Sequence, residues 1–286
     1  MAVADAVTDA IAALTAGPLA ARTELDAAIG PLTTYRVGGP ARALVTLDDD
    51  DDATSLALVV ARTGVPTLVV GRGSNLLVAD RGFDGIAVVL GGGFAEVAVD
   101  GTTVRAGGAA RLPVVARTSV QHGLTGFEWA VGVPGSIGGA VRMNAGGHGA
   151  EIVDALLDAD VLDLRTGGRR TRPAAELQLG YRRSAIADGD LVLAARFALA
   201  PGDVEEGRAR LAEIVQWRRH NQPGGQNAGS VFTNPDGDSA GRLIDTAGAK
   251  GLRIGTAEVS PKHANFIQAD EGGSADDVVA LMAEVR

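Results

Sequence analysis

The chain has 286 residues, enough for a large core and about two domains, and its formal net charge of −9 argues against nucleic acid as the main partner. It contains no cysteine, which excludes disulfides, thiolate catalysis and zinc–thiolate sites. His122, His148, His220 and His263 stand too far apart for a histidine-based metal site, so no metal is expected.

No basic segment followed by an apolar core opens the sequence, and no apolar run reaches membrane-spanning length. A soluble, cytoplasmic protein without membrane association is expected. Of the 26 basic residues only Lys250 and Lys262 are lysine, and glycine totals 40, so some glycines reflect composition rather than function.

In chain order, Ala4 to about Leu14 reads as a short amphipathic helix ended by Gly17-Pro18. Ala41 to Leu47 reads as a strand. The acidic run Asp48 to Asp52 fits a helix N-terminus, where carboxylates favour the macrodipole. It lacks the alternating ligand and glycine pattern of a calcium loop. That helix runs to about Arg62 and stops at Gly64, with Pro66 beyond. Thr67 to Val70 reads as a buried strand delivering the loop Gly71-Arg72-Gly73-Ser74-Asn75-Leu76. Glycines with Ser and Asn donors after a strand suit phosphate binding. Leu76 stands where the dinucleotide fingerprint needs its third glycine, and no Gly-Lys-Ser/Thr follows, so neither common phosphate motif is met.

Ile86 to Leu90, Phe94 to Val99 and Thr102 to Ala106 read as strands, with a turn at Asp100-Gly101. Leu112 to His122 reads as a helix begun near Pro113 and ended at Gly123. The segment Val131 to Gly147 follows, with six glycines among seventeen residues. Its backbone, free of Cβ atoms, can form a concave nest of N–H groups for an anion. Pro134 fixes φ, and Ser136 offers a hydroxyl where a helix begins. Together with Gly71 to Leu76, this segment reads as a cradle for a pyrophosphate-bearing cofactor. The candidates there are Gly132, Pro134, Gly135, Ser136, Gly138 and Gly139. A flexible surface loop in a glycine-rich chain is the alternative.

Strands resume at about Ala155 to Leu164 and Leu191 to Ala200, with Leu179 to Ser184 between them. Pro201-Gly202 reads as a domain boundary. Val204 to His220 reads as a helix with Leu211, Ile214 and Val215 on one face. A long polar loop, Asn221 to Pro235, ends in a short β segment. Ala240 to Thr246 reads as a helix, Leu252 to Ile254 and Asn265 to Gln268 as strands, and Ser274 to Arg286 as the last helix.

Several segments carry a family resemblance. They are Thr33-Thr34-Tyr35-Arg36-Val37-Gly38-Gly39-Pro40-Ala41, Gly71 to Leu77, the glycine-rich cradle, and Tyr181-Arg182-Arg183-Ser184. Ala228-Gly229-Ser230-Val231-Phe232-Thr233-Asn234-Pro235, Leu243 to Gly251, and Lys262-His263-Ala264-Asn265-Phe266-Ile267 complete the set. In order and spacing, from about residue 30 onward, the chain resembles the UDP-N-acetylenolpyruvoylglucosamine reductases of bacterial cell-wall synthesis. The short span from Tyr181 to Ser230 resembles their compact, type II branch.

The resemblance implies an α+β protein. An N-terminal extension (1–29) precedes a FAD-binding domain (30–200) with the PCMH-type fold shared with vanillyl-alcohol oxidase. A smaller α+β domain (201–286) then takes the UDP-sugar. It implies FAD and NADPH as cofactors, with NADPH and UDP-N-acetylglucosamine enolpyruvate using one cleft in turn. Hydride goes to the enol ether and a proton to the neighbouring carbon. No tethering motif for the flavin is present, so non-covalent FAD held by the two loops is expected. A monomer is expected.

Charge building into the substrate carboxylate needs a preorganised cation. By resemblance this is Arg182, whose guanidinium matches a carboxylate in bidentate fashion. On physical grounds alone Arg183 is not distinguished from it. By resemblance Ser230 gives the proton, and Tyr181, Asn234, Lys250, Lys262 and His263 line the nucleotide-sugar site. The family carries a further glutamate beyond its last helix; the sequence stops at Arg286, and Glu284 is not given that role. A truncated sequence, or a protein lacking that group, is expected. A flavin oxidase of the same fold would lack Ser230 and the lysine-bearing domain. A flavin or nucleotide-sugar binding protein without turnover is the other alternative.

Overall fold

The computed structural model describes residues 3–286. The chain packs as two compact units, each discontinuous in sequence. The first comprises residues 3–25, 42–71 and 84–216; the second comprises residues 26–41, 72–83 and 217–286.

In the first unit, helix α1 (Val3–Ala16) sends Val7, Ala10 and Leu14 into a core shared with α2 (Asp50–Thr63). The expected N-terminal extension is therefore part of the packed body, because its apolar face has a partner. Asp49 caps α2 by accepting from the Asp52 N–H, and Gly64 closes it in the left-handed conformation at φ 66°. Strands β1 (Thr23–Leu25), β2 (Ala41–Leu47), β3 (Thr67–Val69) and β4 (Phe83–Leu90) form one sheet in the order β1-β2-β4-β3. Strand β3, expected to be buried, lies at the edge of this sheet. Among the described residues it pairs only with β4, in parallel, and Val69 is exposed.

A second, antiparallel sheet contains β5 (Val97–Asp100), β6 (Thr103–Gly107), β7 (Leu156–Asp163), β8 (Arg169–Pro173) and β9 (Asp190–Ala198), in the order β8-β7-β9-β6-β5. The expected strand from Phe94 begins later, at Val97, because Gly92–Phe94 forms a 3-10 turn. Helix α3 (Leu112–Gln121), the short α4 (Ile137–Met143) and Phe127, Trp129 and Phe197 fill the core under this sheet. The Phe127 ring lies 5.4 Å from Trp129 and 5.0 Å from Phe197, tilted in both cases.

The expected boundary at Pro201-Gly202 does not divide the packing. Pro201 pairs with Leu124, the Gly202 N–H donates to the Gly123 carbonyl at 2.7 Å, and Ile214 of α5 (Val204–Asn221) belongs to the first unit's core. The division falls within α5, after Gln216.

In the second unit, strands β10 (Arg253–Ile254), β11 (Ala257–Val259) and β12 (Ile267–Ala269) form an antiparallel sheet. Helix α6 (Ala240–Thr246) is capped by Ser239, and α7 (Ala275–Val285) by Ser274. Tyr35, Val37 and Leu77 join their core, so residues 26–41 and 72–83 fold with the C-terminal part of the chain. Among the described residues no helix is long and apolar enough to cross a membrane.

Candidate functional site

In the first unit, β3 leads into Gly71. A Cβ added there would stand 2.7 Å from the Ser136 hydroxyl, so the two glycine loops approach each other at this point. Ser136 is buried at the N-cap of α4, and its side chain makes no capping bond. The expected run of available N–H groups is not found between Gly135 and Gly138. Ile137 donates to the Ala110 carbonyl and Gly138 to that of Gly108, each at 2.9 Å, and Gly135 donates to Val133 at 3.0 Å. The amides of Ile137 and Gly138 lock the turn onto residues 108–110 instead. Gly132 is likewise a packing position, where a Cβ would come within 3.0 Å of Ile214. Pro134 and Gly139 are exposed.

In the second unit, Gly73 adopts φ +60°, and a Cβ on it would collide with the Leu32 carbonyl and Thr33. The Thr34 N–H donates to the Gly73 carbonyl at 3.1 Å, fixing the loop against the Thr-Thr-Tyr segment. Among the described residues the side chains of Arg72, Ser74 and Asn75 make no hydrogen bond or ion pair, so their donors remain unengaged. Leu76 is half-buried.

The turn between β8 and β9 separates Arg182 from its neighbour. Arg182 sits at φ 56°, and its guanidinium lies 5.0 Å from the centre of the exposed Tyr181 ring. Nη1 donates to the Asn144 carbonyl and Nη2 to the Gly146 carbonyl, each at 3.2 Å, with Glu151 Oε1 3.6 Å from Nη1. Arg183 instead is exposed and folds over Gly180. Of the two arginines, Arg182 is the one fixed by the site. Asn144 and Glu151 are missed by the sequence reading. Their only signal is an asparagine followed by small residues, which also suits a plain turn.

Ser230 is exposed and forms an isolated bridge with Phe266. The segment is held by Asn265, which is 4% exposed and also unforeseen. Its carbonyl accepts from Val231 at 2.9 Å, its side-chain oxygen accepts from Phe232 at 2.8 Å, and its amide nitrogen donates back to Phe232 at 2.8 Å. A buried asparagine with both ends engaged fixes a strand end far better than a hydrophobe could.

The remaining expected residues divide. Asn234 accepts from the Ala240 N–H at 3.1 Å, and so serves the start of α6. Lys250 pairs with Asp245 at 2.7 Å, and Lys262 donates to the Arg219 carbonyl at 2.6 Å. His263 packs edge-on against Phe266 at 4.7 Å. Burial, with the Lys250 charge nearby, lowers its pKa from the usual histidine value, and its Nδ1 accepts from the Asn265 N–H at 3.3 Å. His263 and Lys250 are thus neighbours. A cleft of about 330 Å³ in the second unit is lined by Thr34, Arg36, Gly225, Gln226 and Glu271, none of them among these residues.

Comparison with known proteins gives one answer along the chain. Residues 41–171 match an FAD binding domain, and residues 220–286 match the C-terminal domain of UDP-N-acetylenolpyruvoylglucosamine reductase. The reductase of Paramagnetospirillum magneticum is 45% identical over 93% of this chain and 86% of its own length. That of Rubrobacter xylanophilus is 41% identical over 89% and 86%. The crystal structure of the Thermus caldophilus enzyme, MurB, superposes with a TM-score of 0.81 at 37% identity, covering 92% of this chain and 93% of that one. A more distant likeness, to the pollen glucose dehydrogenase Phl p 4 at 16% identity and TM-score 0.53 over 74% of this chain and 50% of that one, extends to the fold alone. The architecture is therefore a PCMH-type FAD-binding domain with a second, mixed α+β domain. The chain belongs to the UDP-N-acetylenolpyruvoylglucosamine reductase family.

Proposed function

We propose that this protein reduces the enolpyruvyl group of UDP-N-acetylglucosamine enolpyruvate to the lactyl ether of UDP-N-acetylmuramate, using FAD and NADPH. The observation that carries the reading is the fixed guanidinium of Arg182, held by the Asn144 and Gly146 carbonyls within the family's Tyr-Arg-Arg-Ser segment. The residues present fit FAD. Arg72, Ser74 and Asn75 keep side-chain donors available for a pyrophosphate, and Gly71 and Gly73 add no side chain to the loop.

When bound, FAD supplies the hydride, taken from NADPH. The chain's own residues do the rest. As the double bond is reduced, negative charge gathers on the substrate carboxylate, and Arg182 meets it with N–H donors that need no reorganisation. Ser230 holds a hydroxyl proton for the neighbouring carbon. Lys250 and Lys262 suit the diphosphate, with Tyr181, Asn234 and His263 as further lining residues. A protein working on a cell-wall precursor in this way is expected in the cytoplasm, as a monomer.

Rapid-mixing absorbance at the flavin band tests this. NADPH should bleach the band and the enolpyruvyl substrate should restore it. Arg182→Ala should slow the restoration by about 10²–10³ and leave the bleaching intact. Restoration of Arg182→Ala at the parent rate would remove Arg182 from the chemistry.

A further inference from the structure

The two carbonyls that hold Arg182 belong to one small structure, which also carries a carboxylate. Gly146 and Gly147 pair with Glu151 and Ala150 in a short hairpin, and Asn144 leads into it in the left-handed conformation, φ 40°. Asn144 is 1% exposed and every polar group of its side chain is engaged. Its amide nitrogen donates to Glu151 Oε2 at 2.8 Å and to the Gly180 carbonyl at 3.2 Å, and its oxygen accepts from Val153 at 3.0 Å. The other oxygen of Glu151 is the one 3.6 Å from Arg182 Nη1. The Asn144 backbone carbonyl and the Glu151 carboxylate thus approach the same nitrogen, with the Asn144 side chain tying them together.

We infer that Glu151 is a positioning residue for Arg182: its carboxylate, clamped by Asn144, fixes the guanidinium in the orientation that the enolpyruvyl carboxylate meets. The inference rests on the catalytic role proposed for Arg182. The two carbonyl bonds, each 3.2 Å long, hold the guanidinium but leave it some play about its last bonds. A carboxylate beside Nη1, with the Tyr181 ring against its face, removes that freedom. Only two of the five N–H donors are bonded to carbonyls, so Nε and the outer Nη hydrogens remain for substrate. Both side chains are about one-third exposed, at 36% and 34%, so the pair is screened and its effect is orientation more than field strength.

Glu151 has a second task, which the test must separate. It is the N-cap of the 3-10 turn Ile152–Asp154, in a reciprocal arrangement in which Asp154 accepts from the Glu151 N–H at 2.7 Å. Glu151→Gln keeps the shape and one acceptor oxygen but replaces the other with an NH2 donor and removes the charge. We expect it to slow substrate-driven reoxidation of the flavin about tenfold at saturating substrate and to leave reduction by NADPH unchanged. In an Arg182→Ala background the same change should add nothing, because a positioning residue acts only through the group it positions. Equal slowing in both backgrounds would mean that Glu151 merely supports the hairpin, and no slowing in the parent would overturn the inference outright. If Glu151→Gln does not fold, Glu151→Asp replaces it in the same cycle with the same criteria. Failure of Arg182→Ala itself to slow reoxidation would instead remove Arg182 from the chemistry, the reading on which this inference rests, so the two failures are distinct.

Discussion

Tyr35 is 1% exposed in the second unit's core, and among the described residues its hydroxyl has no hydrogen-bond partner of normal geometry. Burial pushes its pKa from 10.0 up to about 12, and the nearby Ala228 N–H offsets this only in part. The folded value is raised, so the protonated form's contribution is complete below pH 10 and is lost as pH rises from there towards about 12. A shift of that size corresponds to roughly 2–3 kcal/mol across the window. Tyr35→Phe removes the unpartnered hydroxyl and keeps the ring. It should hold or raise stability at neutral pH, by about 1 kcal/mol at most, and remove part of the alkaline loss. Thermal melts of both proteins between pH 7 and 11 check this; a markedly less stable Tyr35→Phe would show that the hydroxyl has a partner. The motif containing Tyr35 is plain in the sequence. That its hydroxyl is buried and unpaired follows only from the packing of residues 26–41 against distant parts of the chain.

At the scale of elements, α7 shows a local signal completed by a remote one. Ser274 and the acidic Asp276 and Asp277 mark its start in the sequence, and Ser274 does accept from the Asp277 N–H. Asp80, nearly two hundred residues away, closes the same turn. It accepts from the Ser274 hydroxyl at 2.6 Å and from the N–H groups of Ala275 and Asp276 at 2.9 and 3.1 Å. The Ser274 hydrogen bond first, then these two amides, holds the Asp80 pKa below the ordinary carboxylate value. Asp277 is lowered too, chiefly by the Thr256 N–H and then by the Thr256 hydroxyl. Folded values that are depressed mean stability present above pH about 4 and lost as acid protonates the folded carboxylates. Asp80→Asn should cost about 1 kcal/mol near neutral pH, raise hydrogen exchange in the first turn of α7, and flatten the acid dependence. Unchanged exchange there would show that Ser274 caps the helix unaided. Other elements were hidden for equally physical reasons. Strand β8 reads Arg-Arg-Thr-Arg-Pro, an edge strand with almost no apolar face, and β1 has three residues.

Across the whole molecule, the sequence identifies the family and its fold but not how distant segments pack. Local patterns cannot reveal that residues 26–41 and 72–83 fold with the C-terminal part, since no periodicity records which distant segment fills a core. The same blindness left Arg182 and Arg183 equal, until the left-handed turn at Arg182 gave only one of them the Asn144 and Gly146 carbonyls.

Lys250 poses the remaining question at this scale, whether the second unit serves UDP-sugar binding separately from flavin reduction. Its pair with Asp245 is exposed on both sides, at 35% and 53%, and such pairs are worth about 0–1 kcal/mol, so Asp245 does not keep the lysine from an anionic ligand. A charge-assisted bond to a diphosphate is worth more, about 1.5–3 kcal/mol. Lys250→Ala should therefore raise the Kd for the UDP-sugar about tenfold to a hundredfold. The flavin spectrum and its bleaching by NADPH should stay as they were. Titration calorimetry with the nucleotide-sugar and rapid mixing with NADPH measure the two sides independently. Equal losses in both would mean that Lys250 supports the fold of the second unit, and the division of labour between sugar binding and flavin reduction would have to be abandoned.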